Sequence, residues 1–176
     1  MKITVAFIIV SLFSALASAA EFSKGPVIKN YGGVADVEQS SPLSGKEQFK
    51  IAFDVAEQGE KDKANRRFES LARFLNMQAR AGVSPKQVEL ALVVHGKAGF
   101  DLLENKVYKE KFGSDNANAP LLAELHKHGV RVILCGQSAA YHGIDSAQLL
   151  PDIEMSLSAM TAHALLQQQG YTLNPF

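Results

Sequence analysis

Cysteine is nearly missing from this sequence. Cys135 stands alone among 176 residues, which excludes an internal disulfide and, with no CxxC pair, excludes dithiol redox chemistry within one chain. Tryptophan is absent, and the other aromatic residues lack the basic interleaving of a base-stacking platform. Charge of one sign is missing too, since Lys plus Arg and Asp plus Glu both number 18. Nothing draws a phosphate backbone, and nucleic acid is not expected as a partner. The apolar run at the start of the chain is shorter than the roughly 20 residues of a membrane span.

That run has the form of an export leader. Lys2 supplies a positive start, residues 3–10 with Leu12 and Phe13 supply the apolar segment, and Ala17, Ser18 and Ala19 form a small-x-small cleavage pattern. A cleaved signal peptide is expected over residues 1–19, with the mature chain starting at Ala20 or Glu21. The product is then periplasmic or otherwise exported, near neutral, and not stably inserted in a membrane. In an exported protein a lone Cys135 is buried and inert, used for chemistry, or paired to another chain.

The length suits one domain with a substantial core. Residues 20–45 are rich in Gly, Pro, Ser and Asn and read as an extended arm; Val27 and Ile28 suggest that it adds to a neighbouring edge or crosses a partner subunit. Residues 46–176 read as the folded domain. Residues 49–55 alternate as a strand, and residues 61–81 carry a helical stripe of Ala64, Phe68, Leu71, Ala72, Leu75 and Ala79 that stops at Gly82. Residues 88–94 are nearly continuously apolar, as in a strand covered on both faces. Asn116 with Pro120 opens a helix that ends at Gly129. Residues 130–134 form a buried strand that delivers Cys135 to a loop. Asp145 and Gln148 cap a short helical turn, and a strand at residues 153–157, a helix at 159–169 and a last strand at 170–173 complete the chain. This alternation implies an α/β fold with a mostly parallel sheet and helices on both faces.

Ligands in such sheets gather at the carboxyl ends of strands, where His95 and Cys135 both fall. A thiolate there, near the start of a helix, is a candidate nucleophile. Against this stands the frequency with which cysteine packs as a small buried hydrophobe. His95 and His142 are the candidate partners, able to stabilise a thiolate or donate a proton to a leaving group. Gly96, Gly136 and Ser138 are the candidate ligand-binding residues beside them. The loop around Gly96 and Gly99 lacks the spacing of a dinucleotide or P-loop fingerprint, and Ser138 lies outside any Gly-x-Ser-x-Gly elbow. His126 and His128 are two apart on a helix and face different ways, while His163 falls on the final helix near its core edge. No metal site and no cofactor are expected from this set.

The stretches VELALVVHGKAGFDLL (88–103), VRVILCGQSAAYHGI (130–144), LLPDIEMSLSAM (149–160) and the ending LLQQQGYTLNPF (165–176) together resemble the DsrE/DsrF-like family, small proteins associated with sulfur relay. The Cys-Gly-x-Ser followed by His-Gly-Ile and the terminal Gly-Tyr carry most of the likeness. The resemblance implies a three-layer flavodoxin-like fold with a five-stranded, mostly parallel sheet, and assembly into trimers or hexamers. It also implies that Cys135 receives sulfane sulfur as a persulfide and passes it on, with a donor or acceptor protein as partner. Relay members act on cytoplasmic partners, whereas this chain carries an export signal. The alternative reading is a non-catalytic small-ligand-binding or assembly module on the same fold.

Overall fold

A computed structural model of the chain describes residues 20–174. The expected signal peptide lies outside the described residues. The sheet holds five strands in the order β4-β3-β2-β1-β5, where β1 is Phe49–Val55, β2 Val88–Val94, β3 Arg131–Cys135, β4 Ile153–Ser156 and β5 Thr172–Asn174. All four strand pairs are parallel, so the α/β architecture with helices on both faces is the one observed. Among the described residues five α-helices accompany the strands: α1 (Arg66–Arg80), α2 (Asn105–Phe112), α3 (Ala119–Lys127), α4 (Gly136–His142) and α5 (Ala159–Gln168).

Period-two alternation sorts the strand side chains into two unequal cores. The large one takes Phe53, Val55, Leu90, Leu92, Val94, Val132 and Leu134 against Phe68, Leu71 and Leu75 of α1 and Leu121 and Leu125 of α3. The small one takes Ala52, Ala91, Val93 and Ile133 against Ala162 and Leu166 of α5, with Tyr171. The β4-to-β5 connection must travel from one sheet edge to the other, and α5 is the helix that carries it across this second face.

Three local readings change. Helix α1 starts at Arg66 rather than residue 61, because Asp62 adopts a left-handed φ of 63° and Asn65 caps the helix by accepting from the Arg67 amide. Asn116 does not cap α3. Its amide turns inward and donates to the carbonyls of Asp101 (2.9 Å) and Leu103 (2.7 Å). The stretch between β2 and α3 holds a 3-10 segment, Gly96–Leu102, and then α2, which the mixed sequence there does not announce.

The arm, read from the sequence as adding to a neighbouring edge or crossing a partner subunit, lies on its own α1. Asn76, fully buried within α1, accepts from the amides of Val27 (3.1 Å) and Ile28 (2.9 Å) and donates toward the carbonyls of Ile28, Tyr31 and Gly32. Arg80 adds bonds to the carbonyls of Lys24 and Val34. Ile28 thereby joins the large core. A polar residue on a core-facing helix position needs such partners, since a buried amide left unpaired costs about 1–3 kcal/mol.

Candidate functional site at the carboxyl edge of the sheet

Cys135 ends β3 and serves as the N-cap of α4, its Sγ accepting from the Ser138 amide at 3.5 Å. It is 5% exposed. Burial pushes the thiol up, but hydrogen bonds from the Ser138 hydroxyl and from the backbone at Ser138, Ala159 and Gln137 together outweigh it and hold Cys135 below the ordinary thiol value. Ser138 is held in turn, because its Oγ accepts from the Gly96 amide at 3.0 Å and so keeps its own proton free for the sulfur. Gly136 allows the chain to pass close to β4: a Cβ there would meet the Ser156 carbonyl at 2.7 Å. Of the candidate residues, Ser138 bonds Sγ directly, Gly96 holds Ser138, and Gly136 follows Cys135 in the chain.

His95 directly follows β2, the strand that pairs with the Cys135 strand β3. Leu134 pairs with Val94 as the last pair of the parallel ladder, and Cys135 and His95 are the residues that follow them. Alternation puts both on the α5 face, since Val93 and Ile133 belong to the small core and Val94 and Leu134 to the large one. His95 keeps extended backbone (φ −144°, ψ −173°) and its amide continues the ladder to the Val55 carbonyl.

Asp54 adds a group that the sequence reading passed over. It sits on β1 opposite Val93, hence on the same face. Its Oδ2 lies 2.9 Å from His95 Nε2 and its Oδ1 lies 2.7 Å from Nε2 of His163 on α5. Burial pushes the Asp54 carboxyl up, yet the hydrogen bonds and charges of the two imidazoles outweigh it and leave the acid below its usual range. The signal available in the sequence was a charged residue next to last on an inner strand, opposite the alternating Phe and Ile positions of FKIAFDV. Its partner His163 lies 109 residues away, and no local pattern connects them.

His142 is placed elsewhere. It ends α4 with its ring against Phe100 (centroids 5.1 Å apart) and Tyr141 (5.0 Å), and no hydrogen bond joins it to Cys135 among the described residues. The described residues also contain no group of three His, Cys, Asp or Glu arranged to hold a metal. A groove of about 200 Å³ opens between β4 and α5, lined by Arg131, Ile133, Glu154, Ser156, Ala162 and Leu166; Cys135 does not line it, although Ser156 is its register partner. Tyr141, Leu157 and Met160, from α4, the β4-to-α5 turn and the first turn of α5, are all highly exposed near this edge.

Comparison with known proteins agrees with this architecture. No curated protein matches the chain. Among solved structures it is similar to the protein of unknown function MTH1491 from Methanobacterium thermoautotrophicum, with a TM-score of 0.56 and 16% identity over 73% of this chain and 100% of that one. It is also similar to the ychN protein from E. coli, with a TM-score of 0.51 and 18% identity over the same shares. Identities this low speak for the fold alone. The sequence profile of the DsrE/DsrF-like family, however, matches residues 49–175, from the first residue of β1 to past the end of β5, and the chain belongs to that family.

Proposed function

We propose that the protein is a sulfur carrier, in which Cys135 takes a sulfane sulfur as a persulfide and passes it to an acceptor, with His95 moving the proton. The observation that carries this reading is the Ser138 amide donating to Sγ at 3.5 Å from the first turn of α4, with hydrogen bonding holding the Cys135 thiol below its ordinary value. Such bonding favours an anionic sulfur, which is the nucleophile in attack on a sulfane donor. No cofactor is needed for that exchange. With Cys135 only 5% exposed, the donor has to gain access to a nearly covered sulfur.

The test is the intact mass of the purified protein after incubation with a low-molecular-weight persulfide. Wild type gains the mass of one sulfur atom and Cys135→Ser gains none; a wild type of unchanged mass overturns the reading. The burial of Cys135 supports a second reading, a non-catalytic binding or assembly module, in which wild type and Cys135→Ser behave alike. We also propose that the mature protein works after export, as a homo-oligomer of three or six chains, with the exposed apolar residues around the Cys135 edge in its contacts.

A further inference from the structure

The described residues contain a half-buried linkage of titratable groups of which the carrier reading uses only His95, the pairing of Asp54 with two histidines from different elements. A carboxylate is an acceptor only, so each imidazole facing it must present a proton on Nε2. That fixes both tautomers and leaves both Nδ1 atoms as bare lone pairs while the rings are neutral.

The two rings then differ in what a second proton would meet. His163 has a side chain only 16% exposed, and its Nδ1 is buried without a partner. His163 therefore meets Asp54 through its Nε2 N–H and acts as an N–H donor from α5. His95 is 32% exposed, and its Nδ1 is neither buried nor bonded among the described residues. With Nε2 taken by Asp54, Nδ1 is the ring nitrogen of His95 left without a partner among the described residues.

We propose that Asp54 and His163 are positioning residues for His95, and that the chain His163–Asp54–His95 forms the proton relay serving the Cys135 sulfur. The proposal rests on the carrier reading and names the groups that run it. His95 Nδ1 takes the Cys135 proton, leaving a thiolate held by its ring of donors and an imidazolium stabilised by Asp54. The thiolate attacks the outer sulfur of a persulfide donor. A bond forms between Sγ and that sulfur, the donor's S–S bond breaks, and its electron pair leaves on the donor thiolate, which takes the proton from His95. Electrons and protons balance without an oxidant or a reductant. The titratable groups acting on Asp54 are His95 from the end of β2 and His163 from α5, and the groups recorded as acting on Cys135 are neutral donors.

The test is the rate of Cys135 alkylation by iodoacetamide as a function of pH, with folding checked by circular dichroism. Asp54→Asn and His95→Gln are expected to move the midpoint upward and slow alkylation at neutral pH about tenfold, the equivalent of roughly one pKa unit. His163→Leu is expected to follow Asp54→Asn, while His163→Gln, which keeps a side-chain N–H donor, retains most of the wild-type profile. Wild-type profiles in Asp54→Asn and His95→Gln overturn the relay. If Asp54→Asn fails to fold, the His163 pair decides: equal profiles for Leu and Gln overturn the proposal. The carrier reading fails separately, when wild type takes up no sulfur whatever the profiles show.

Discussion

Ser138 makes two bonds that no other side chain near the thiol can replace. Its hydroxyl accepts from the Gly96 amide and faces Cys135 with its proton. Ser138→Ala removes one donor from the sulfur and unties the loop after β2. The Cys135 alkylation midpoint is expected to rise, with the rate at neutral pH falling about threefold to tenfold, measurable by mass spectrometry of the labelled protein.

Asp54 gives the molecule an acid-sensitive element. Its native carboxyl is held below its ordinary value, so the native state binds fewer protons there than the unfolded chain. The stability it supplies is whole above the free aspartate value of about 3.9 and drains away as pH falls through the lower native value. Denaturant unfolding of wild type and Asp54→Asn is therefore expected to show a gap at about pH 6 that narrows toward about pH 3. A gap that is constant or widens in acid contradicts the assignment. Cys135 and His95 were legible as strand-end residues because an apolar run stopping at a polar residue is a local signal. The wiring of Asp54 to His163 was not, since it depends on α5 crossing the sheet to bring distant residues together.

At the scale of elements, α1 and the arm fold as one unit through Asn76. Asn76→Ala leaves the amides of Val27 and Ile28 and three carbonyls without their partner. A loss of about 2–4 kcal/mol is expected from these stranded buried groups, together with faster proteolysis within residues 23–34; an arm as protease-resistant as wild type contradicts the docking. The helical stripe of α1 was readable from its spacing. The arm's seat was not, because Asn76 lies four residues after Ala72 on that stripe and is polar, which breaks the apolar pattern at the point where the docking occurs. Asn116 failed as a cap for a similar reason: the same amide that suits a helix start also suits the buried carbonyls of Asp101 and Leu103.

At the scale of the whole molecule, the two faces of the sheet are unequally covered. One carries the large core under α1 and α3, and the other carries a small core under α5 with Asp54, His95 and Cys135 at its open end. The parallel α/β class was legible because strand and helix periods alternate along the chain. The inequality was not, since only the placement of α5 shows which side is thinly covered. Large apolar side chains stay exposed near the open end, Leu157 and Met160 among them. For the proposed assembly, sedimentation of the mature protein should give a mass of three or six chains, and Leu157→Asp with Met160→Asp should shift it toward monomer. A wild-type monomer refutes the assembly and leaves the chemistry at Cys135 open to test on its own.

That chemistry is reached most directly by following one sulfur atom through the protein. The protein is loaded with a low-molecular-weight persulfide, freed of excess donor, digested before and after addition of an acceptor thiol, and mapped by mass. The account predicts one extra sulfur on the peptide containing Cys135 that disappears as the acceptor gains it. Sulfur that never reaches Cys135, or that stays there in the presence of the acceptor, contradicts it.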